Sequence, residues 1–418
     1  MRARRTGIIL AVVAAAAIAG VLLFRAGSQP GSDGEALLER LRSLGYVDHV
    51  SSDPDPSRAG VVLHDPERAS PGINVYCSTR SKDVRFLDMS GKVLHTITLP
   101  EAGDGSDCLL VPTGDGDFLA LARPILVRIG WDSEVRWISR KGHHHDVALD
   151  GAGNIYTLSE KPGFLSRERT RIPIRDHSIL ILDETGKAVR EIELSPLFAK
   201  DVSRQRISWM RRLLGRPEPN AWPYELVSDV YHPNTVEVLD REVGLGRPGH
   251  LLLCLRELDL VAIVDPDREV VVWRWGTRSI DHPHHPSVLA NGHLLVFDNG
   301  WRRNWSRVIE IAPPAGRIVW AYQGEPRESF FSMVRGSSQA LPNGNVLITE
   351  STKGRVFEIT RAGKIVWEFW NPDQTDDGMR RQIYRMQRFD PNRLGLPREV
   401  ALARRGLGAK PVDVVAAD

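Results

Sequence analysis

Glu269-Val-Val-Val-Trp273-Arg-Trp-Gly276, Arg317-Ile-Val-Trp320-Ala-Tyr322 and Lys364-Ile-Val-Trp367-Glu-Phe369 are variants of one phrase. Each follows a turn bearing Gly or Asp. The first two lead to an Asn-Gly turn and another apolar run, Leu289-Ala-Asn291-Gly292-His-Leu-Leu-Val296 and Leu341-Pro-Asn343-Gly344-Asn-Val-Leu-Ile348. A phrase returning after about 50 residues signals one supersecondary unit repeated. Each unit reads as several short strands joined by turns, which is how a β-propeller blade is written.

The first half carries the unit more faintly. One copy runs from Val75-Tyr-Cys-Ser78 through Asp83-Val-Arg-Phe-Leu87 to Lys92-Val-Leu-His-Thr-Ile97, and a second from Asp117-Phe-Leu-Ala-Leu-Ala122 to Glu134-Val-Arg-Trp137. A third spans Asp146–Ile192 and a fourth Thr235–Trp273, so with the two Asn-Gly units the count is six. Alternating apolar residues bury one face of each strand, and stacked blades bury what a lone blade cannot. The expectation is an all-β, six-bladed β-propeller over 58–373, interrupted by a helical insertion at 197–228 and followed by a C-terminal extension, 374–418. Ile207-Ser-Trp-Met-Arg-Arg-Leu-Leu214 is amphipathic at helical spacing and supplies the insertion. Val61-Val-Leu-His64 is free to add a strand to the last blade, and Ile383-Tyr-Arg-Met386 to pack back on the ring.

The N-terminus makes a separate statement. Arg2, Arg4 and Arg5 precede an uncharged stretch, Gly7–Phe24, rich in Ala, Val, Ile and Leu. About 18 helical residues just span a hydrocarbon core of about 30 Å. Residues 1–25 therefore read as a single-pass transmembrane anchor with its positive flank in the cytoplasm and the propeller on the periplasmic or extracellular side. A cleaved signal peptide is the rival reading. Residues 26–57 are a polar tether holding a short helix, Glu35–Leu44.

Net charge is +2, which gives no argument for a nucleic-acid partner. Three cysteines are too few for a disulfide framework; Cys77 and Cys108, in adjacent blades, are placed to pair outside the cytoplasm, or else pack as small buried residues.

The chemistry lies in the histidines. Six of the 13 fall in His143-His144-His145-Asp146 and His282-Pro-His284-His285-Pro286, each just ahead of the first strand of a unit, and His232 stands in the same slot of the blade between. In a propeller the first strand lines the central channel, so three blades aim His145, His232 and His285 at one axial funnel. Converging imidazoles bind metals, shuttle protons or act as nucleophiles. His49, His64, His95, His177, His250 and His293 read as ordinary loop or strand residues. Beyond the second cluster, Trp301-Arg302-Arg303-Asn-Trp305-Ser-Arg307 offers guanidinium forks for a tetrahedral oxyanion and indoles for an aromatic ligand.

The funnel histidines, Val296-Phe-Asp-Asn-Gly300 with its following Arg, Ser306-Arg-Val-Ile-Glu-Ile311, Phe330-Phe-Ser-Met-Val-Arg-Gly-Ser-Ser338 and Gly354-Arg-Val-Phe-Glu-Ile359, in that order, resemble the arylsulfotransferase family of PAPS-independent aryl-sulfate sulfotransferases. The resemblance covers about His143–Asn371. It implies an extracytoplasmic six-bladed propeller that moves a sulfuryl group from an aryl sulfate to a phenol through a transient sulfo-histidine, with no cofactor. His285 and Arg303 match the family's sulfate-binding His and Arg. His145 matches an earlier channel His, with His144 an equal candidate. Arg302, Trp301 and His144 would then join Arg303 in holding substrate. The sequence departs from the family where its nucleophilic His stands in a late blade: here the run is Ile348-Thr-Glu350-Ser-Thr352, and no His follows His293. Three readings stay open. The first is an enzyme with His285, His232 or His145 catalytic and Arg303 as clamp. The second is a divalent-metal propeller using His145, His232 and His285, with Glu350. The third is a membrane-tethered, non-catalytic binding propeller.

Overall fold

The computed structural model describes residues 57–101, 108–167, 170–204, 206–207, 229–376, 378–391 and 394. The expected anchor, the tether up to residue 56, the amphipathic run from Ser208 and the chain beyond Leu396 lie outside the described residues. Among the described residues no helix is long and apolar enough to cross a membrane.

Six antiparallel sheets form the ring. A preliminary strand β1 (Gly60–His64) is followed by β2 (Ile73–Ser78), β3 (Asp83–Leu87) and β4 (Val93–Thr98) of blade one. Blade two is β5 (Cys108–Pro112), β6 (Asp117–Ala122), β7 (Ile125–Gly130) and β8 (Val135–Ser139). Blade three is β9 (His143–Leu149), β10 (Ile155–Arg167), β11 (Thr170–Leu182) and β12 (Ala188–Glu193), and a short helix α1 (Leu194–Phe198) follows it. Blade four is β13 (Pro233–Val238), β14 (Leu251–Leu255), β15 (Leu260–Asp265) and β16 (Val270–Trp275). Blade five is β17 (His284–Val288), β18 (Leu294–Asp298), β19 (Arg307–Ala312) and β20 (Arg317–Gln323). Blade six is β21 (Ser337–Ala340), β22 (Val346–Glu350), β23 (Arg355–Ile359) and β24 (Ile365–Trp370).

Closure uses both ends of the described chain. β25 (Ile383–Phe389) pairs with β2 and becomes the innermost strand of blade one, while β1 adds a fifth, outer strand to blade six through β24. The propeller therefore does not stop at Asp373, as the fading of the blade pattern suggested. Ile-Tyr-Arg-Met-Gln-Arg-Phe lacks clean alternation because an inner strand is covered on both faces, so Tyr384, Arg385 and Arg388 are buried along with Ile383 and Met386. β5, β9, β13, β17, β21 and β25 touch in ring order and line the axis.

The core is divided as the repeat demands, with one buried apolar cluster between each pair of neighbouring blades. Leu194 and Phe198 of α1 are sunk into the cluster between blades three and four. Cys77 and Cys108 are disulfide-bonded, with Cα atoms 5.9 Å apart, and tie blade one to blade two. Cys254 is buried as a free thiol.

Candidate functional site

The start of the inner strand is bent in blades three to six. Backbone φ is positive at His145 (60°), His232 (42°), His285 (45°) and Arg335 (58°), at or just before the innermost strands of blades three to six. Non-glycine residues rarely occupy this left-handed region, and it recurs where a site over-determines it. The pairing register slips beside three of them, between Thr157 and Leu158 opposite β9, between Pro233 and Thr235, and between His284 and Ser287. Such bulges re-aim a side chain. The equivalence of the His slots read from sequence is thus physical, and in blade six Arg335 takes the slot that holds His in the preceding three.

Four imidazoles gather around one carboxylate. Nδ1 of His145 lies 2.8 Å from Nδ1 of His144, and Nε2 of His144 lies 3.2 Å from Nδ1 of His177. Nε2 of His177 is 3.0 Å from Oδ1 of Asp229, and Oδ2 of Asp229 is 2.5 Å from Nδ1 of His232. The circle closes where the rings of His232 and His145 meet edge to face, 4.6 Å between centroids. Burial alone would raise the pKa of Asp229, but His232 and the hydrogen bond from His177 hold it well below the usual range. The carboxylate can only accept, so His177 donates from Nε2 and His232 from Nδ1. Burial, with Arg256 next, lowers His232 to about 4. At neutral pH its Nε2 therefore carries a lone pair, fixed in direction by Asp229.

Two further rings are oriented in the same sense. His284 Nδ1 is 2.7 Å from Asn299 Oδ1, and that amide's nitrogen donates to the carbonyls of Ser332 and Arg335, so His284 must donate. His285 donates from Nδ1 to the Ser338 carbonyl at 3.0 Å. Burial lowers both well below the ordinary histidine value, helped by Arg256 at His284 and by Arg385 at His285.

The expected oxyanion clamp is differently employed. Arg303 Nη2 lies 3.1 Å from Asp298, its Nε donates to the Trp305 carbonyl, and its guanidinium covers the Trp305 ring. Arg302 pairs with Asp281 at 3.0 Å and with Asp259. These two line a cleft of about 560 Å³ with Arg206, Glu257 and Asp281, and Arg206 in turn donates to the Asp229 carbonyl at 3.0 Å. Trp301 is partly exposed and packs edge-on against His282. The cations that bear on the imidazoles are instead Arg256, Arg123 and Arg385, the last 3.0 Å from Asp146 Oδ1.

The alternative metal set is not assembled. Among the described residues, three-ligand groups within 4.8 Å of one another are His144, Glu160 and His177, and Asp259, Asp281 and His282. Neither contains His145, His232 or His285, because each of those rings sits on its own blade with its own Nδ1 partner. Glu350 is fully buried and paired with Lys353 at 2.7 Å and Arg355 at 3.2 Å. His177, read as an ordinary strand residue, belongs to the His circle. Asp229, Arg335 and Arg385 were also missed. Asp229 stands three residues ahead of His232, the spacing that lets a carboxylate reach Nδ1. Arg335-Gly336 repeats the slot before an inner strand, whereas Arg385 had no repeat to betray it.

Residues 220–372 match the family model for arylsulfotransferase (ASST). The matched stretch takes in blades four to six of the six-bladed ring, and over that part the chain is similar to the arylsulfotransferase family. No curated protein matches it significantly in sequence. Among solved structures, a protein of unknown function from Bacteroides caccae aligns with a TM-score of 0.51 at 14% identity, covering 77% of this chain and 99% of its own. A catalytically inactive virginiamycin B lyase from Staphylococcus aureus, solved with quinupristin, gives 0.43 at 14%, covering 75% and 88%. At such identity the likeness concerns the fold alone.

Proposed function

We propose that this protein transfers a sulfuryl group from an aryl sulfate to a phenol, with His232 as the nucleophile. The observation that carries the reading is the Asp229–His232 pair, which fixes the proton on Nδ1 and leaves Nε2 basic. Nε2 attacks sulfur, and the S–O bond breaks with its electron pair on the departing aryl oxygen, which leaves as phenolate and takes its proton from solvent. The acceptor phenol oxygen then attacks the sulfur of the sulfo-histidine; the N–S bond returns its pair to Nε2, and the acceptor proton is released. His285 and His284, neutral and oriented, with Arg385 paired to Asp146 and Arg256 paired to Glu257, supply the surroundings for the sulfate oxygens. The membrane anchor of the sequence reading would hold this site on the extracytoplasmic face.

A non-catalytic binding propeller is the second reading. It is favoured by Arg302 and Arg303, which are already neutralised by carboxylates. The deciding experiment gives the purified full chain an aryl sulfate donor and a phenol acceptor and follows donor-phenol release. Acceptor-dependent release that disappears in His232→Ala supports transfer. Absence of release from folded wild-type protein over a panel of donors and acceptors leaves the binding reading.

A further inference from the structure

The approach of His144 to His177 carries more than the transfer reading uses. We infer that His144 Nε2, His177 Nδ1 and the Glu160 carboxylate form a site for a divalent transition metal of zinc's class, with both rings buried and the carboxylate partly exposed. The strand geometry builds it. Glu160 and His177 are direct cross-strand partners on β10 and β11, and His144 on β9 pairs with Leu158, two residues from Glu160. Side chains two apart on a strand and those directly opposite share a face, so all three project to one side of a rigid sheet. Their ligand atoms lie within 4.8 Å of one another.

The two nitrogens stand 3.2 Å apart with both rings only 1% exposed. Two imidazole nitrogens bound to one tetrahedral zinc at about 2.0–2.1 Å are separated by about 3.3 Å, which the observed spacing meets without movement. Asp229 accepts from His177 Nε2, as the outer carboxylate does in a carboxylate–histidine–metal unit, and so presents the Nδ1 lone pair to the site. His145 bears on His144 from the opposite ring nitrogen at 2.8 Å. Arg123 holds Glu160 Oε1 at 2.6 Å and Arg175 lies 3.4 Å from Oε2, each leaving a further lone pair on the oxygen it contacts. Two imidazoles and one carboxylate select zinc, iron or copper over calcium or magnesium. The second three-ligand group offers a single imidazole, whose Nδ1 is already bonded to Asp281, and Arg302 sits on both of its carboxylates.

The site stands independently of sulfuryl transfer, and its test does not read activity. The full chain is stripped with chelator and titrated with Zn²⁺, then separately with Co²⁺, with metal content by elemental analysis and Co²⁺ coordination by visible absorption. One equivalent is expected, with the intense bands of low-coordinate Co²⁺ and a rise in melting temperature on Zn²⁺ addition. Glu160→Gln and His177→Ala should lose the equivalent, Asp229→Asn should weaken it by about 10–100-fold, and His285→Ala should keep it. Folded wild-type protein that takes up no metal would overturn the assignment, as would an equivalent that survives both Glu160→Gln and His177→Ala.

Discussion

Oδ2 of Asp229 lies 2.5 Å from Nδ1 of His232, and the same carboxylate receives His177 through its other oxygen. One buried charge therefore sets the proton position on two rings. Asp229→Asn keeps the shape but offers an amide that can donate, so His232 can flip its proton to Nε2. If His232 is the nucleophile, kcat for aryl sulfate turnover should fall by about 10²–10⁴-fold with KM little changed. A purely structural Asp229 would instead lower the amount of folded protein and leave kcat per folded molecule intact.

Acid should unfold this protein early. His232 is lowered to about 4, and His284 and His285 lie well below the ordinary value of 6.5. A folded-state pKa below the unfolded one means the unfolded chain binds more protons, so stability drops as pH falls from about 6.5 towards 4. For His232 alone the loss approaches about 3 kcal/mol by pH 4. Glu237 works in the opposite sense: burial raises it to about 7, which favours the folded state at lower pH within that window. Three imidazoles outweigh one carboxyl, so the urea midpoint should be lower at pH 5 than at pH 7. An unchanged or higher midpoint would contradict the buried, neutral state of these rings.

Arg388 and Glu358 are both buried and ion-paired, with Ser70 N and Asn345 completing the carboxylate and the Trp367 ring beneath the guanidinium. This cluster fastens β25 to blade six. Glu358→Ala should cost about 3–5 kcal/mol, because it strands a charge in the core. The double replacement Glu358→Leu with Arg388→Met should recover part of that loss, and thermal melts of the single and double variants decide it.

The Cys77–Cys108 bridge closes a loop with a sequence separation of 31. Loop-closure entropy gives about 3–4 kcal/mol for such a cross-link. Replacing both residues by Ser should lower the chemical-denaturation midpoint accordingly. Reducing agent should do the same to the wild type and nothing to the double variant.

The ring was legible in the sequence because outer strands carry the repeat. Trp273, Trp320 and Trp367 fall in the equivalent fourth strands of their blades, where their Nε1–H groups reach carbonyls of Pro314, Arg361 and Met89 of the next blade. The funnel slots were legible for a related reason, since His145, His232 and His285 each stand at or just before the start of an inner strand and share a left-handed backbone there. What the sequence hid was contact between distant segments. His177 comes from a third-position strand, Asp229 from a connection, and Arg385 from a strand that lost the blade pattern on being covered from both sides. Arg303 misled because a guanidinium beside a tight turn looks available until Asp298 is seen to hold it.

β25 supplies the axis-lining strand of blade one, and Arg385 on it answers the charge of Asp146 across the channel. Emergence from the ribosome is therefore not enough to finish any part of the mouth: until Ile383–Phe389 has been made, blade one shows β2 as a naked edge and the ring is a horseshoe. A chain stopped ahead of Ile383 would keep that edge open and lack Tyr384 and Arg385 at the axis.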